Sequence, residues 1–304
     1  MTNYPSSQQK PVQQQQSTPP AATLQLIQNI PGPGWRDGAW MSPSHFAVAG
    51  EEGVWAYDVT QREPRRGPLG DSTDITALAY VPSRRMLVLG DRDGMVHSKE
   101  FSGRSGFHAD VGIGAIRTVV ADPTGRRVAA VSDVGVCVVD LSTGYEWQMS
   151  EQRRAAAWLG DGVLATLGRD GLEVWDCETR GRVVNIPGNA SLVVALEYLG
   201  SPQAVAAGLS NGEVAFWTMT EDPPQPRGAI RQPDGLSALT VAPDGTTLAT
   251  ATPAGAVRVW RDFTPQPPPA VEASGKVLAL RFAADGQRLA AVTTAGISLF
   301  ALQG

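Results

Sequence analysis

Three histidines and two cysteines are the chain's whole supply of imidazole and thiol ligands. His45, His97 and His108 lie in separate segments, and no two of them share a spacing suited to a metal ion. Cys137 and Cys177 make neither a metal-ligand pair nor a disulfide framework, which points to a reducing compartment. No nucleophile elbow, P-loop or dinucleotide fingerprint occurs. Four arginine pairs remain, Arg65-Arg66, Arg84-Arg85, Arg126-Arg127 and Arg153-Arg154. The first three fall in predicted turns on one side and would either form a basic patch for an anionic partner or simply solvate hairpin tips. In RDGLEVWDCETRG (residues 169–181), the pair Trp175-Asp176 belongs either to a pocket or to a repeat, where it would mark the end of a strand.

Composition narrows the partners. The net charge is −5, against the basic excess of a general nucleic-acid binder. Apolar residues make up 42%, enough for a substantial core. Only Lys10, Lys99 and Lys276 are lysines, and with many Ala, Gly and Pro this reads as a GC-rich genome. The stretch MTNYPSSQQKPVQQQQSTPPAA has no apolar h-region and little positive charge, so it is read as neither signal nor transit peptide. No apolar run approaches the ~18–20 residues that span a bilayer. The expectation is a soluble, cytoplasmic protein with no membrane partner. Residues 1–22, rich in Gln, Pro and Ser, bury too little to offset ordering entropy and are expected to be a disordered tail, or alternatively a docking motif.

Behind these residues stands a repeat. A glycine precedes an alternating apolar run at Gly53, Gly94, Gly135, Gly171, Gly212, Gly255 and Gly296, with spacings of 41, 41, 36, 41, 43 and 41 residues. Each unit opens with a run such as Ile75–Tyr80 or Val277–Phe282. A turn follows in most copies (DPTGRR, APDGTT, AADGQR), where Gly supplies the positive φ of a tight hairpin. A second run of small apolar residues comes next, as in Val128–Val131 or Leu289–Val292. Then the anchor glycine leads into a third run. Short runs between turn signals, with no helical period, mean strands throughout. AWMSPSHFAVAGEEGVWAYD (39–58) and AWLGDGVLATLGRDGLEVWD (157–176) align without a gap, which makes Trp40 equivalent to Trp158 and Tyr57 to Trp175.

Seven such units describe an all-β, seven-bladed β-propeller of four-stranded blades over residues 23–304. The units resemble WD40 repeats, and Trp175-Asp176 stands where that family carries its name. Elsewhere the pair is degenerate: Tyr57-Asp58, Lys99-Glu100, Val139-Asp140, Trp217-Thr218 and Trp260-Arg261. The family's Gly-His dipeptide is absent from every copy, so its His–Asp–Ser–Trp network is not expected. In this reading Trp175 packs between blades and Asp176 starts a turn. The last copy ends after its third strand, ISLFALQG, and would leave an open edge. Residues 23–30 alternate and end in NIPG, as does the outer strand RGRVVNIPG of the fourth copy. They are therefore expected to supply the outer strand of blade 7 and close the ring.

Propeller chemistry belongs at the central channel, whose mouth should be lined by Asp74-Ile75, Ile116-Arg117, Arg153-Arg154, Val193-Val194, Leu236-Ser237 and Lys276-Val277. Only Asp74, and less directly Asp37, offers a carboxylate there, too few for a hard cation. No catalytic, cofactor or metal set is assigned, and the chain is not read as an enzyme. The fold-level expectation is a non-catalytic scaffold or regulatory subunit of a larger complex that binds a protein or peptide. The alternative is a propeller enzyme or small-ligand sensor using the channel. The partner face is expected to carry Trp35, Arg36, Glu52, Asp74, Asp93, Arg153, Arg154 and Arg169. Trp35, in PGPGWRDG, should either stand near the surface or cover the seam between blades 7 and 1. Cys137 is expected to be buried and inert, and Cys177 to be more exposed.

Overall fold

The anchor glycines mark the turns between second and third strands, and six of them, all but Gly135, hold φ between 89° and 136°. That conformation suits a residue without a Cβ. In the computed structural model, residues 23–303 are described except 33, 62–65, 70–73, 101–104, 150–152, 188–191, 202, 262 and 264–265. The expected tail, residues 1–22, and Arg65 lie outside the described residues.

Seven antiparallel sheets of four strands stand around a ring. Blades 1 to 6 follow chain order from Trp35, Ile75, Ile116, Arg153, Val193 and Ala238, the first residues of their inner strands. Blade 7 takes its inner three strands from Val277–Phe282, Arg288–Thr293 and Gly296–Gln303, and its outer strand from Thr23–Pro31. The registers Thr23↔Gln303 and Pro31↔Gly296 close the ring as the repeated NIPG implied, with a bulge between Leu26 and Gln28.

The core is not one mass but seven seams, each cluster drawn from two neighbouring blades. Each second strand is covered on both faces, which explains its small residues. Ala47, Ala129, Ala206, Ala249 and Ala290 are all fully buried. Sheets converging on an axis leave little room there, so small side chains fit the taper.

The hairpins between first and second strands use the turn chemistry in the sequence. Asp122 accepts the Arg126 N–H at 2.8 Å with Gly125 at φ 70°, and Asp244 accepts from Thr246 and Thr247 with Gly245 at φ 69°. Blade 2 lacks this glycine. A 3₁₀ turn at Pro82–Arg84 serves instead, and Arg85 takes the left-handed conformation, φ 50°.

Trp175 sits in the seam between blades 3 and 4, edge-on to Trp147 at 5.7 Å and under the Arg153 guanidinium at 4.9 Å. Asp176 starts the next turn by accepting the Glu178 and Thr179 N–H groups. The N–H groups of Thr179 and Glu178 hold its carboxyl below the usual carboxylate range. Trp40 and Trp158 are equivalent in chemistry as well as position. Each indole N–H donates to an inner-strand carbonyl of the preceding blade, Arg281 O at 2.9 Å and Val120 O at 3.0 Å.

Two expectations need correction, those for Cys177 and for the arginine tips, and two indoles make a contact that the sequence did not announce. Trp175 donates to Thr166 Oγ1 at 3.1 Å, and Trp260 donates to Thr250 Oγ1 at 2.8 Å. In blade 6 the Thr250 hydroxyl in turn donates to Gln232 Oε1 at 2.8 Å, an amide just before the inner strand. The register gives the reason: Thr stands opposite the residue two before the aromatic only in blades 4 and 6. In blade 1 that place is Val48, and the buried Tyr57 hydroxyl has no partner. Cys177 is buried rather than exposed, because its N–H pairs with Gly162 O and turns the thiol into the seam with Trp158 and Leu164. Burial pushes both cysteine thiols up to about 12. Arg126-Arg127 is not a free basic tip. Arg127 begins a strand, is buried, and shares Glu178 with Arg126, which also pairs with Asp140. Arg84 is likewise spent, on Leu141 O and Ser142 Oγ.

Candidate functional site

The inner strands position the channel wall through a repeated irregularity. In six blades the register slips at the second residue: Arg36, Thr76, Arg117, Arg154, Val194 and Leu278. A bulge re-aims the extra residue, and all six line the channel. The narrow part, about 90 Å³, lies toward the strand starts and holds Arg36, Asp37, Arg117 and Arg281. A wider cavity of about 510 Å³ extends toward the strand ends, where Trp40, Tyr80, Trp158, Tyr198 and Phe282 line it.

One level of that wall is uneven. The residues paired with the middle of each second strand are, from blade 1 to blade 7, Ala39, Ala79, Val120, Ala157, Glu197, Thr240 and Arg281. Blades 1 to 4 present only small apolar groups there, whereas blades 5 to 7 present a carboxyl, a hydroxyl and a guanidinium. Arg281 is held by Asp37 Oδ1 at 2.7 Å and by the Leu280 carbonyl at 2.8 Å. Asp37 also accepts the N–H groups of Gly38 at 2.8 Å and Leu78 at 2.9 Å. It thereby ties blades 7, 1 and 2 together. Burial pushes the Asp37 carboxyl above its ordinary range, although Arg281 and the two N–H groups pull the other way. Among the described residues Glu197 accepts no hydrogen bond, and burial pushes its carboxyl up to about 7 against the pull of Arg281.

Neither Glu197 nor Thr240 was found from the sequence, because the channel was sought at the starts of the inner strands. The signal was available. Once the copies are aligned, Glu197, Thr240 and Arg281 interrupt a column that is Ala or Val in the first four blades.

The turns and loops assigned to the partner face lie together at one side of the ring. Turns between second and third strands hydrogen-bond to the loops entering inner strands, as in Glu51 N–H to Gly34 O, Asp74 N–H to Glu51 O and Gln232 N–H to Gly212 O. Glu52, Asp74, Asp93, Arg154 and Arg169 are exposed and Arg36 is half-buried. Arg36 pairs with Glu51 at 2.8 Å and approaches Asp74 at 3.8 Å, while Arg92 lies 4.0 Å from Asp74. Glu51 and Arg92 were missed. Two of the eight residues are withdrawn from any surface. Arg153 is 7% exposed and bonded to the buried Glu173 at 2.7 Å. Trp35 is 1% exposed and lies in the seam of blades 7 and 1. A Cβ on Gly32 would fall 2.2 Å from its Nε1, so the glycine-rich approach lets the clasp press onto the indole instead of holding it outward.

No family model matches the chain, and no curated protein matches it. Among solved structures, it is similar to the β-propeller domain of Cps50 (Swd1) from Myceliophteria thermophila. The TM-score is 0.78 at 13% identity, over 92% of this chain and 100% of that one. At that identity the likeness speaks for architecture alone, and the architecture is the seven-bladed β-propeller that the repeats describe.

Proposed function

We propose that the chain is a non-catalytic interaction scaffold or regulatory subunit that holds a protein or peptide on the face bearing Glu52, Asp93 and Arg169. The observation that supports this is where apolar surface escapes burial. Of five large hydrophobics left exposed among the described residues, Val134 (63%) and Leu192 (51%) lie on this face. Val134 tips the turn between second and third strands of blade 3, and Leu192 leads into the inner strand of blade 5. Covering these side chains with a partner would remove apolar surface from water, at about 25 cal/mol per Å².

The test is affinity purification of native complexes with mass spectrometry, comparing wild type with Val134→Asp plus Leu192→Asp. Loss of the wild-type partners from a double variant that keeps its melting temperature supports this face. Retention of every partner moves binding to the opposite face or the rim.

A further inference from the structure

Glu197 is the one carboxylate among the described residues lining the wide cavity, and it is the charged member of the polar wall with no hydrogen bond among those residues. Arg281 has its carboxylate and carbonyl, and Asp37 has a guanidinium and two N–H groups. Glu197 lies in a strand paired through Ala206 and opens onto a volume of about 510 Å³. A half-buried carboxyl facing a cavity, with no donor among the described residues, marks a place where a ligand can supply the missing partner. The cavity falls within the usual size of small-molecule sites and has their composition, apolar and aromatic walls with a few polar groups.

We propose that the wide half of the channel binds a small organic amine, its ammonium hydrogen-bonded to Glu197 and its apolar body against the aromatic wall. The complementary group for an unpaired carboxylate is a cation with several N–H donors, and the faces of Trp, Tyr and Phe also favour a positive charge. The chemistry set against it is limited. The positive charge of Arg281 is met by Asp37, and Arg154, which also lines this cavity, is exposed to solvent at the bulge level. An acid has no equivalent partner at Glu197. This site lies inside the ring, so it stands or falls independently of the proposed partner face.

Binding a cation favours the ionised carboxyl, so below the Glu197 midpoint of about 7 the protein must release a proton when it binds. The other titratable or charged groups lining the cavity are Tyr80, Arg154, Tyr198 and Arg281, with Asp37 behind Arg281. The experiment is calorimetric titration of the full chain with phenethylamine and agmatine, and with 3-phenylpropionate as the acid control. Runs at pH 6 use two buffers of different ionisation heat, and a further set is made at pH 8.5. The expected result is amine binding that strengthens several-fold at pH 8.5, with close to one proton released per amine at pH 6 and almost none at pH 8.5. The acid should not compete. Glu197→Gln, which removes a half-buried charge and should fold, is expected to weaken amine binding at least tenfold and abolish the proton release. No binding of either amine, or binding that Glu197→Gln leaves unchanged, overturns the proposal. A preference for the acid overturns it too.

Discussion

The two sides of the channel share one scaffold and differ in what they do with the same position. At the middle level, blades 1 to 4 place Ala39, Ala79, Val120 and Ala157, and blades 5 to 7 place Glu197, Thr240 and Arg281. The apolar side closes its seams with small side chains and asks nothing of solvent. The polar side places charges where desolvation is costly and answers only some of them. It also contains the junction of the chain's two ends, because Asp37 and Arg281 bond across the seam between blades 1 and 7. Backbone position alone therefore does not fix the role of a channel residue. The donors supplied by the neighbouring blade do.

The largest effect should come from opening that junction. Deleting residues 1–31 removes the strand Thr23–Pro31 and exposes the edge of Gly296–Gln303. An unpaired edge invites association with other chains. The expected outcome is loss of cooperative unfolding and aggregation in size-exclusion chromatography, while deletion of residues 1–20 leaves melting unchanged. Soluble, cooperative unfolding by both would show that the polar side holds the seam without its clasp.

Next in size is Asp37→Ala. It strands the Arg281 guanidinium, which is 29% exposed, together with the N–H groups of Leu78 and Gly38. Breaking a buried pair from one side costs about 3–5 kcal/mol. Asp37→Asn keeps an acceptor and should cost less. If chemical denaturation shows Asp37→Ala losing under about 1 kcal/mol, the hub is incidental.

Glu197 tests the unanswered charge. Its folded-state midpoint, about 7, lies above the ordinary 4.5, so ionisation is disfavoured in the folded protein. The resulting penalty is absent at low pH, where both states are protonated, and grows until the pH passes about 7. Glu197→Gln should therefore gain on wild type as pH rises, by about 2 kcal/mol between pH 5.5 and 8.5. A stability difference that stays flat across that range would mean the carboxyl is solvated, and the two sides would differ less than their residues suggest.

Much of this was legible in the chain. The glycine period announced the blades, and the second NIPG announced the clasp, because both follow from backbone geometry that recurs at a fixed interval. What escaped depends on contacts between units. Trp35 could not be placed from PGPGWRDG, since its burial rests on the clasp pressing Gly32 against it. The Trp260–Thr250–Gln232 chain was missed because its acceptor, Gln232, lies outside the repeated strand pattern, just before the inner strand. Glu197 was overlooked because an acid within an apolar run becomes conspicuous only when all seven copies are stacked. Arg127 read as a turn residue, but Glu178, from the next blade, holds it at the start of a strand.

The smallest expected effect separates the scaffold from its lining. Trp40 and Trp158 staple their blades to the preceding one through the same indole bond, at 2.9 and 3.0 Å. They differ in setting: the Trp40 acceptor is the carbonyl of Arg281 on the polar side, and the Trp158 acceptor is the carbonyl of Val120 on the apolar side. Trp40→Phe and Trp158→Phe each delete one N–H donor and leave an aromatic ring in the seam. Each leaves a carbonyl without its indole partner, worth about 1 kcal/mol. If the sides differ only in side-chain lining, the two losses should agree within about 0.5 kcal/mol, since additivity is judged to that precision. A much larger loss for Trp40→Phe would mean that the Arg281 backbone is braced by the polar wall as a unit. In that case Trp40→Phe combined with Asp37→Asn should show coupling, and Trp158→Phe combined with Asp37→Asn should be additive.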